Sequence, residues 1–310
     1  MIELCDLSRR YGEFVAVDKV SCQIGQGEVV GLLGHNGAGK TTVMKMLTGY
    51  LDASSGSIRV DGLAMREARR QIQEKIGYLP ENCPVYGDMS VAEYLLFRAE
   101  LVGVPPAERA PALARALQRT RMTERAQQPI ATLSRGLRQR VGVAQAILHQ
   151  PSIVILDEPT NGLDPSQIRQ MRALIRELAE HATVIVSTHI LSEVEAVCER
   201  VLILCRGKLA LDARLADLER EAGLLLETDR ADPALEAALG NIDGVSGVTC
   251  AEPGTLRLQT SGPWPPVAEA AARVTLQHQH PLRRLQPVQQ NLETIFREVN
   301  EKAALEVAHA

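Results

Sequence analysis

The sequence predicts an α/β fold built on a parallel sheet, followed by a smaller α+β appendage. Three observations carry this expectation. The apolar run Val29-Val30-Gly31-Leu32-Leu33 enters a glycine-rich loop, Gly34-His35-Asn36-Gly37-Ala38-Gly39-Lys40-Thr41-Thr42, and the helix-like run Val43-Met44-Lys45-Met46-Leu47 leaves it. Two more continuous apolar runs, Ile153-Val154-Ile155-Leu156 and Thr183-Val184-Ile185-Val186, flank a helical stretch at 166–180. That is the pattern of a β-α-β unit whose strands are buried on both faces. After about residue 220 the alternation of strand-like and helix-like segments starts afresh.

The loop has a definite chemistry. Its spacing, Gly, four residues, then Gly-Lys-Thr, is that of a phosphate-binding loop between a strand and a helix. Glycines let the backbone turn tightly and aim its N–H groups at one point. Those groups and the positive end of the following helix suit a polyphosphate. Lys40 has the reach for β- and γ-phosphates, and the Thr41 hydroxyl suits Mg²⁺.

The other elements follow in order. Residues 2–8 and 15–24 alternate as strands, joined through Arg9-Arg10-Tyr11-Gly12. Ser57-Ile58-Arg59-Val60 is a short strand closed by the turn signal Asp61-Gly62. Residues 66–74 are helix-like, and Ile76-Gly77-Tyr78-Leu79 is a strand closed by Pro80-Glu81-Asn82-Cys83-Pro84. From about 90 to 148 the chain is rich in Ala, Leu, Arg and Glu at helical spacing, a helical insertion broken at Pro105-Pro106 and at Gln128-Pro129. Val201-Leu202-Ile203-Leu204 and Arg206-Gly207-Lys208-Leu209 read as a hairpin. Beyond it, 224–228 and 255–260 are strand-like and 233–239, 267–273 and 290–302 helix-like. Gly262-Pro263-Trp264-Pro265-Pro266 reads as a turn-rich break, and the last eight residues as an Ala-rich tail.

Composition narrows the class. The 310 residues are 45% hydrophobic and 23% charged, enough for about two globular domains with a largely aliphatic core, since aromatics make up only 3%. The formal net charge of -4 argues against a nucleic-acid binder. No basic, apolar leader begins the chain, and no apolar run reaches the ~18 residues that span a bilayer. The six cysteines form no Cys-x-x-Cys pair and read as reduced thiols.

Further along, Ile153-Val154-Ile155-Leu156-Asp157-Glu158-Pro159 delivers two carboxylates to a strand's C-terminal end, where open α/β sheets bind their ligands. Asp157 suits the Mg²⁺ shell, directly or through water. Glu158 is placed to orient or deprotonate an attacking water. In Leu133-Ser134-Arg135-Gly136-Leu137-Arg138-Gln139-Arg140, Ser134 and the Gly136 N–H at a helix start form a second anion site, with the positive charge of Arg135 beside it. Nothing within one subunit supplies that site with a phosphate.

The 133–140 stretch resembles the signature motif of ATP-binding-cassette (ABC) proteins, usually Leu-Ser-Gly-Gly-Gln. It keeps Leu133, Ser134, Gly136 and a downstream Gln139-Arg140, and departs at Arg135 and Leu137. The resemblance covers about 1–215, with five motifs in family order. It implies a P-loop NTPase cassette with a parallel-sheet core, an antiparallel β subdomain and a helical subdomain, and a head-to-tail homodimer in which Ser134, Arg135 and Gly136 meet the γ-phosphate of ATP held by the other subunit. By the same resemblance His189, in Val186-Ser187-Thr188-His189, is the switch histidine, and Asp164, in Asn161-Gly162-Leu163-Asp164, is the acid of the loop crossing the dimer interface. Tyr11 stacks on adenine. Glu81 takes the place of a glutamine that reaches Mg²⁺ and water.

A narrower resemblance is carried by Tyr78-Leu79-Pro80-Glu81-Asn82, by Met89-Ser90-Val91-Ala92-Glu93-Tyr94-Leu95, and by a short C-terminal domain closing at Gln289-Gln290-Asn291-Leu292-Glu293-Thr294-Ile295-Phe296. These are similar to ABC-2-type exporter ATPases of the drug-efflux, gliding-motility and copper-maturation kinds. The resemblance implies a cassette at 1–220, an accessory α+β domain at 221–302 and a tail at 303–310. It also implies ATP and Mg²⁺ as ligands, a separate integral-membrane permease as partner, no nucleic acid, and a peripheral place on the cytoplasmic face of the membrane. Rival readings are a cassette ATPase acting on ribosomes or DNA, and a nucleotide switch or kinase. The first conflicts with the single cassette and the short insertion, the second with the 133–140 signature.

Overall fold

The computed structural model describes residues 1–218, 221–261, 264–289 and 292–308. The chain divides into two compact units, Met1–Leu215 with Glu298–Ala310, and Ala216–Arg297.

The first unit begins with a hairpin. β1 (Ile2–Tyr11) and β2 (Phe14–Ile24) pair from Ile2↔Ile24 to Tyr11↔Phe14, so both strands run up to a two-residue turn. β3 (Val29–Leu33) is buried at every position and leads through the glycine-rich loop into α1 (Lys40–Leu47). β4 (Ser55–Val60) and β5 (Leu63–Ala64) are joined by Asp61 and Gly62, both at positive φ, the geometry of a tight hairpin turn. α2 (Met65–Gln73) and β6 (Ile76–Leu79) follow.

The expected helical insertion is α3 (Val91–Leu101), α4 (Pro106–Arg119), two short 3₁₀ turns and α5 (Arg135–Ile147). Pro106 opens α4, where its missing N–H costs nothing. The β-α-β unit is β7 (Ile153–Asp157), α6 (Pro165–Ala179) and β8 (Thr183–Thr188), with β7 and β8 parallel. α7 (Leu191–Val197), β9 (Arg200–Cys205) and β10 (Lys208–Arg214) complete the sequence of elements here, and the single turn α8 (Leu215–Leu218) follows at the boundary between the units.

Two sheets result. β2-β1-β4-β5 is antiparallel, and β10-β9-β3-β8-β7-β6 is parallel except for β10 at its edge. An aliphatic core including Leu7, Val17, Val30, Met44, Met46, Ile155, Ile185 and Leu202 joins them. The central strands β3, β7 and β8 are buried along their whole length, so their C-terminal ends emerge together at one edge. That edge carries the site.

The second unit contains β11 (Glu221–Thr228), α9 (Pro233–Gly240), β12 (Val245–Glu252), β13 (Thr255–Thr260), α10 (Trp264–Gln277) and β14 (Leu282–Gln289). The sheet order β12-β13-β11-β14, all antiparallel, is that of a split β-α-β fold. Leu224, Leu226, Leu256 and Leu258 of the sheet pack on Leu235, Leu239, Val267 and Ala271 of the helices. Trp264-Pro265-Pro266, expected in a turn-rich break, forms the first turn of α10, where proline is tolerated; Gly262 and Pro263 lie outside the described residues. α11 spans Leu292–Ala308, and so continues through residues 303–308, which read from the sequence as a tail. Gln290 and Asn291, at the expected start of the closing helix, lie outside the described residues, as do 309 and 310.

Two ion pairs converge on the β4–β5 turn, one from Lys75 and one from the Met1 amino group, which donates to Asp61 Oδ1 at 2.7 Å. Lys75 Nζ donates to Asp61 Oδ2 at 2.7 Å and is the leading cause that draws the Asp61 carboxyl from an ordinary 3.8 down to about 2. A depressed folded pKa gives stability that is present above 3.8 and lost as pH falls through about 2. Asp61→Asn should lower the melting temperature at pH 7 by roughly 1–3 °C. The gap to the wild type should close as the buffer is taken down across that window; a gap constant from pH 7 into the acid range would refute the pairing.

Candidate functional site

The glycine-rich loop is held from behind. Ala38 N–H donates to His35 O at 3.1 Å, and Gly207 N–H donates to Ala38 O at 3.0 Å, tying the loop to the β9–β10 turn. Gly39 caps α1 at φ +103°, and a Cβ there would lie 2.7 Å from Ala16 O, so a side chain is excluded on two counts. Lys40 starts α1 almost fully buried. Its Nζ donates to Gly34 O at 2.7 Å and to His35 O at 3.4 Å, and stands 3.4 Å from Glu158 Oε1.

The register of β7 against β8 sets the acidic side. Asp157 lies opposite Ser187, whose hydroxyl donates a short hydrogen bond to Asp157 Oδ1. The same hydroxyl accepts from Glu158 N–H at 3.1 Å, and Ser187 O accepts from it at 3.2 Å. Glu158 is held at φ +49°, a left-handed conformation that a non-glycine residue adopts at some cost. Its carboxylate turns to Lys40 on one side and, through Oε2, to His189 Nδ1 at 2.9 Å on the other. No motif in the sequence singles out Ser187; its place between Asp157 and Glu158 is visible only through the cross-strand pairing.

Lys40, Glu158 and His189 share one cleft of ≈ 400 Å³, while Asp157 and Ser187, both fully buried, lie outside its lining. Tyr11, His35, Asn36, Gly37, Gly39, Lys40, Thr41, Thr42, Glu81, Glu158 and His189, all singled out in the sequence, line it; Phe14, Ala16 and Asn161 join them unforeseen. Gly34 and Ala38 complete the loop behind the cleft. Tyr11 is 48% exposed, and Arg9 Cζ sits 4.7 Å from its ring centroid, so one ring face already carries a cation. Glu81 is tied to the Glu158 loop by Asn161 Nδ2, which donates to Glu81 Oε1 at 3.5 Å.

Ser134, Arg135, Gly136 and Asp164 stand outside the lining of that cleft. They sit at two helix starts. Ser134 caps α5, accepting from Leu137 N–H at 3.4 Å. Asp164 caps α6, accepting from Ser166 and Gln167 N–H at 2.8 and 2.9 Å. Those bonds, with the Ser166 hydroxyl foremost, draw the Asp164 carboxyl below its usual range.

The residues fit a divalent cation. Asp157 is fully buried, and its Oδ2 has no hydrogen-bond partner among the described residues. Thr41 Oγ1 is 3.5 Å from Oδ1 of the same carboxylate. A buried carboxylate oxygen without a donor calls for a cation. Tyr78 faces the same carboxylate, its phenol pushed well above its usual range first by burial and then by the charge of Asp157, so it brings the carboxylate a hydroxyl and no positive charge.

A P-loop beside a buried Asp-Glu pair at the edge of a parallel sheet defines a nucleotide-hydrolysing cassette. The comparisons agree. The chain matches the ABC transporter family over residues 17–161. It is 36% identical over 234 residues to the bacitracin transport ATP-binding protein BcrA of Bacillus licheniformis, covering 75% of this chain and 76% of that one. It is 31% identical over 257 residues to the linearmycin resistance ATP-binding protein LnrL of Bacillus subtilis (strain 168), covering 81% and 83%. Among solved structures, an ATP-binding subunit of an ABC transporter superposes with TM-score 0.64 at 31% identity, covering 71% of this chain and 92% of that one. The dimeric MJ0796 cassette does so with TM-score 0.64 at 25% identity, covering 69% and 99%. The chain belongs to the ABC transporter family and is one of its ATPases, and the expected fold class is the observed one.

Lys40→Ala removes the buried cation of the loop. Equilibrium binding of a fluorescent ATP analogue should weaken by roughly 10–100-fold, the worth of a charge-assisted contact. Unchanged affinity would contradict the placement of nucleotide in this cleft.

Proposed function

We propose that the chain is the ATP-hydrolysing subunit of an ABC exporter, driving a separate membrane permease from the cytoplasmic face of the membrane. The observation that carries the reading is the convergence of Lys40, Glu158 and His189 in one cleft at the sheet edge, within 3.4 Å and 2.9 Å of one another in turn. The loop 34–42 and Lys40 bind the polyphosphate, and Tyr11 stacks on the adenine. Thr41, Asp157 and Glu81 hold Mg²⁺. Bound there, a divalent ion would supply positive charge to offset that of the phosphates. Glu158 polarises the attacking water, and His189 holds the Glu158 carboxylate in place while contacting the γ-phosphate.

Two copies close head to tail. Ser134, Arg135 and Gly136 of one subunit then meet the nucleotide in the other's cleft, and Asp164 lies at the interface. Support comes from the dimeric MJ0796 cassette and from the exposed helix start at Ser134, which stands outside the lining of its own cleft. Export is supported by the names of the relatives, one in bacitracin transport and one in linearmycin resistance. Among the described residues no helix is long and apolar enough to cross a membrane, which is consistent with a separate permease. No nucleic-acid partner is proposed.

Glu158→Gln tests the chemistry. It keeps the shape of the side chain and removes the base, so ATP should still bind while turnover falls by about 10²–10⁴-fold. The same variant with ATP should accumulate as a dimer in light scattering, and a further Ser134→Arg substitution should return it to the monomer. Wild-type turnover in Glu158→Gln sinks the assignment of the base, and a monomer under every condition sinks the head-to-tail arrangement.

The permease docks on the segment from Glu81 to Tyr86 and on α3. There Tyr86 is 59% exposed, with its ring 6.0 Å from that of Tyr94 and 5.9 Å from that of Phe97, and Leu96 and Leu101 are exposed beside them. An exposed aromatic and aliphatic patch of this kind marks a protein contact. Tyr86→Glu should leave basal ATPase activity of the isolated subunit intact and release it from membranes containing the permease. Retention on those membranes with undiminished stimulation would move the docking surface elsewhere.

A further inference from the structure

The start of α5 and the loop before α6 are interlocked by two reciprocal contacts within one chain. Gly162, at φ +72°, lies beneath the Arg135 guanidinium: a Cβ built on it would stand 2.5 Å from Cζ and Nη1 and 2.8 Å from Nε. Gly136 lies beneath the Gln167 side chain, where a Cβ would stand 2.6 Å from Cδ and Oε1 and 2.8 Å from Nε2. Gln167 Oε1 in turn accepts from Asp164 N–H at 3.3 Å. Each segment thus offers a bare glycine on which a side chain of the other rests. The Arg135 guanidinium occupies the space that a Cβ at 162 would take, and its planar, rigid shape is one that a lysine ammonium does not reproduce.

The path from Gly162 to the cleft is short. Its neighbour Asn161 donates from N–H to Glu158 O at 3.1 Å and from Nδ2 to Glu81 Oε1 at 3.5 Å. A shift of Gly162 therefore reaches the base and the Glu81 loop through a single residue. The arginine is also where this chain departs from the usual signature: a glycine at position 135 has no side chain to reach across.

We propose that Arg135 is a positioning residue that couples the helix start at 134–136 to the Glu158 cleft of its own subunit, by way of Gly162 and Asn161. The inference rests on the head-to-tail dimer above. Nucleotide in one cleft meets the other subunit's helix start, Arg135 moves with it, and the second cleft is set for hydrolysis. Such a coupling is reciprocal in binding, so the two clefts fill cooperatively.

The test uses Arg135→Ala, Arg135→Lys, Gly162→Ala and the double variant Arg135→Ala/Gly162→Ala in the full chain. Hydrogen–deuterium exchange on the nucleotide-free protein reads the interlock without any dimer. Arg135→Ala should raise exchange at 161–164 by roughly tenfold and leave β7 unchanged. In steady-state hydrolysis, Arg135→Ala and Gly162→Ala should each lower kcat by roughly tenfold and bring a cooperative ATP dependence toward a Hill coefficient of unity. The double variant should be no worse than the poorer single one, because both break the same contact. Arg135→Lys should behave as Arg135→Ala.

Unchanged exchange at 161–164, kinetic losses that multiply in the double variant, or full activity in Arg135→Lys would each overturn the inference, the last because charge alone then suffices. Should Gly162→Ala fail to fold at its positive φ, the comparison of Arg135→Lys with Arg135→Ala carries the test. Absence of an ATP-dependent dimer in Glu158→Gln would defeat the dimer reading instead, while the exchange measurement still decides the interlock.

Discussion

Two carboxylates and one ammonium are buried side by side where β3 and β7 end. Asp157 is fully buried, and Glu158 and Lys40 are each 6% exposed. Burying charge is costly unless it is paired and hydrogen-bonded. Lys40 pairs with Glu158, and Ser187 satisfies one oxygen of Asp157, but the second oxygen has no partner among the described residues. The cluster therefore sets two acidic side chains against one basic one inside a structured site. The rigid sheet around it holds the cluster in place, and the proposed cation and polyphosphate would complete it.

The rest of the first unit serves that constraint. Strands buried on both faces hold their C-terminal ends in fixed register, so Asp157 always meets Ser187 and Leu33 always meets Thr188. The glycine loop is braced by the β9–β10 turn and by Ala16 of β2. The helix starts at Ser134 and Asp164 are capped and cross-linked by Arg135 and Gln167, which fixes the geometry of the proposed second anion site. Two such segments on one chain are what the proposed head-to-tail pairing would use.

Much of this was legible in the sequence because the informative signals are local. Four apolar residues before Asp157 and a glycine pattern before Lys40 announce both the strands and the side chains at their ends. What stayed hidden depends on pairing across the sheet. Ser187 is an ordinary serine until the register sets it between Asp157 and Glu158. The contact of Arg135 with Gly162 joins residues 27 apart in sequence number by packing alone. In the second unit the edge strands β12 and β14 are the two that the sequence did not announce. An edge strand lacks the burial that writes an apolar run, and residues such as Ser246, Gly247, Arg283, Arg284 and Pro287 blur its alternation. Trp264-Pro265-Pro266 misled for the opposite reason, since prolines that end one element also begin a helix.

The central claim is that the unpartnered oxygen of Asp157 completes its shell with a cation when nucleotide is bound. Electron paramagnetic resonance of Mn²⁺ in place of Mg²⁺ measures this directly. With ATP, the wild type should bind one Mn²⁺ per cleft, and Asp157→Asn should weaken that binding by roughly tenfold or more while metal-free ATP binding persists. Equal Mn²⁺ affinity in the two proteins would contradict the account.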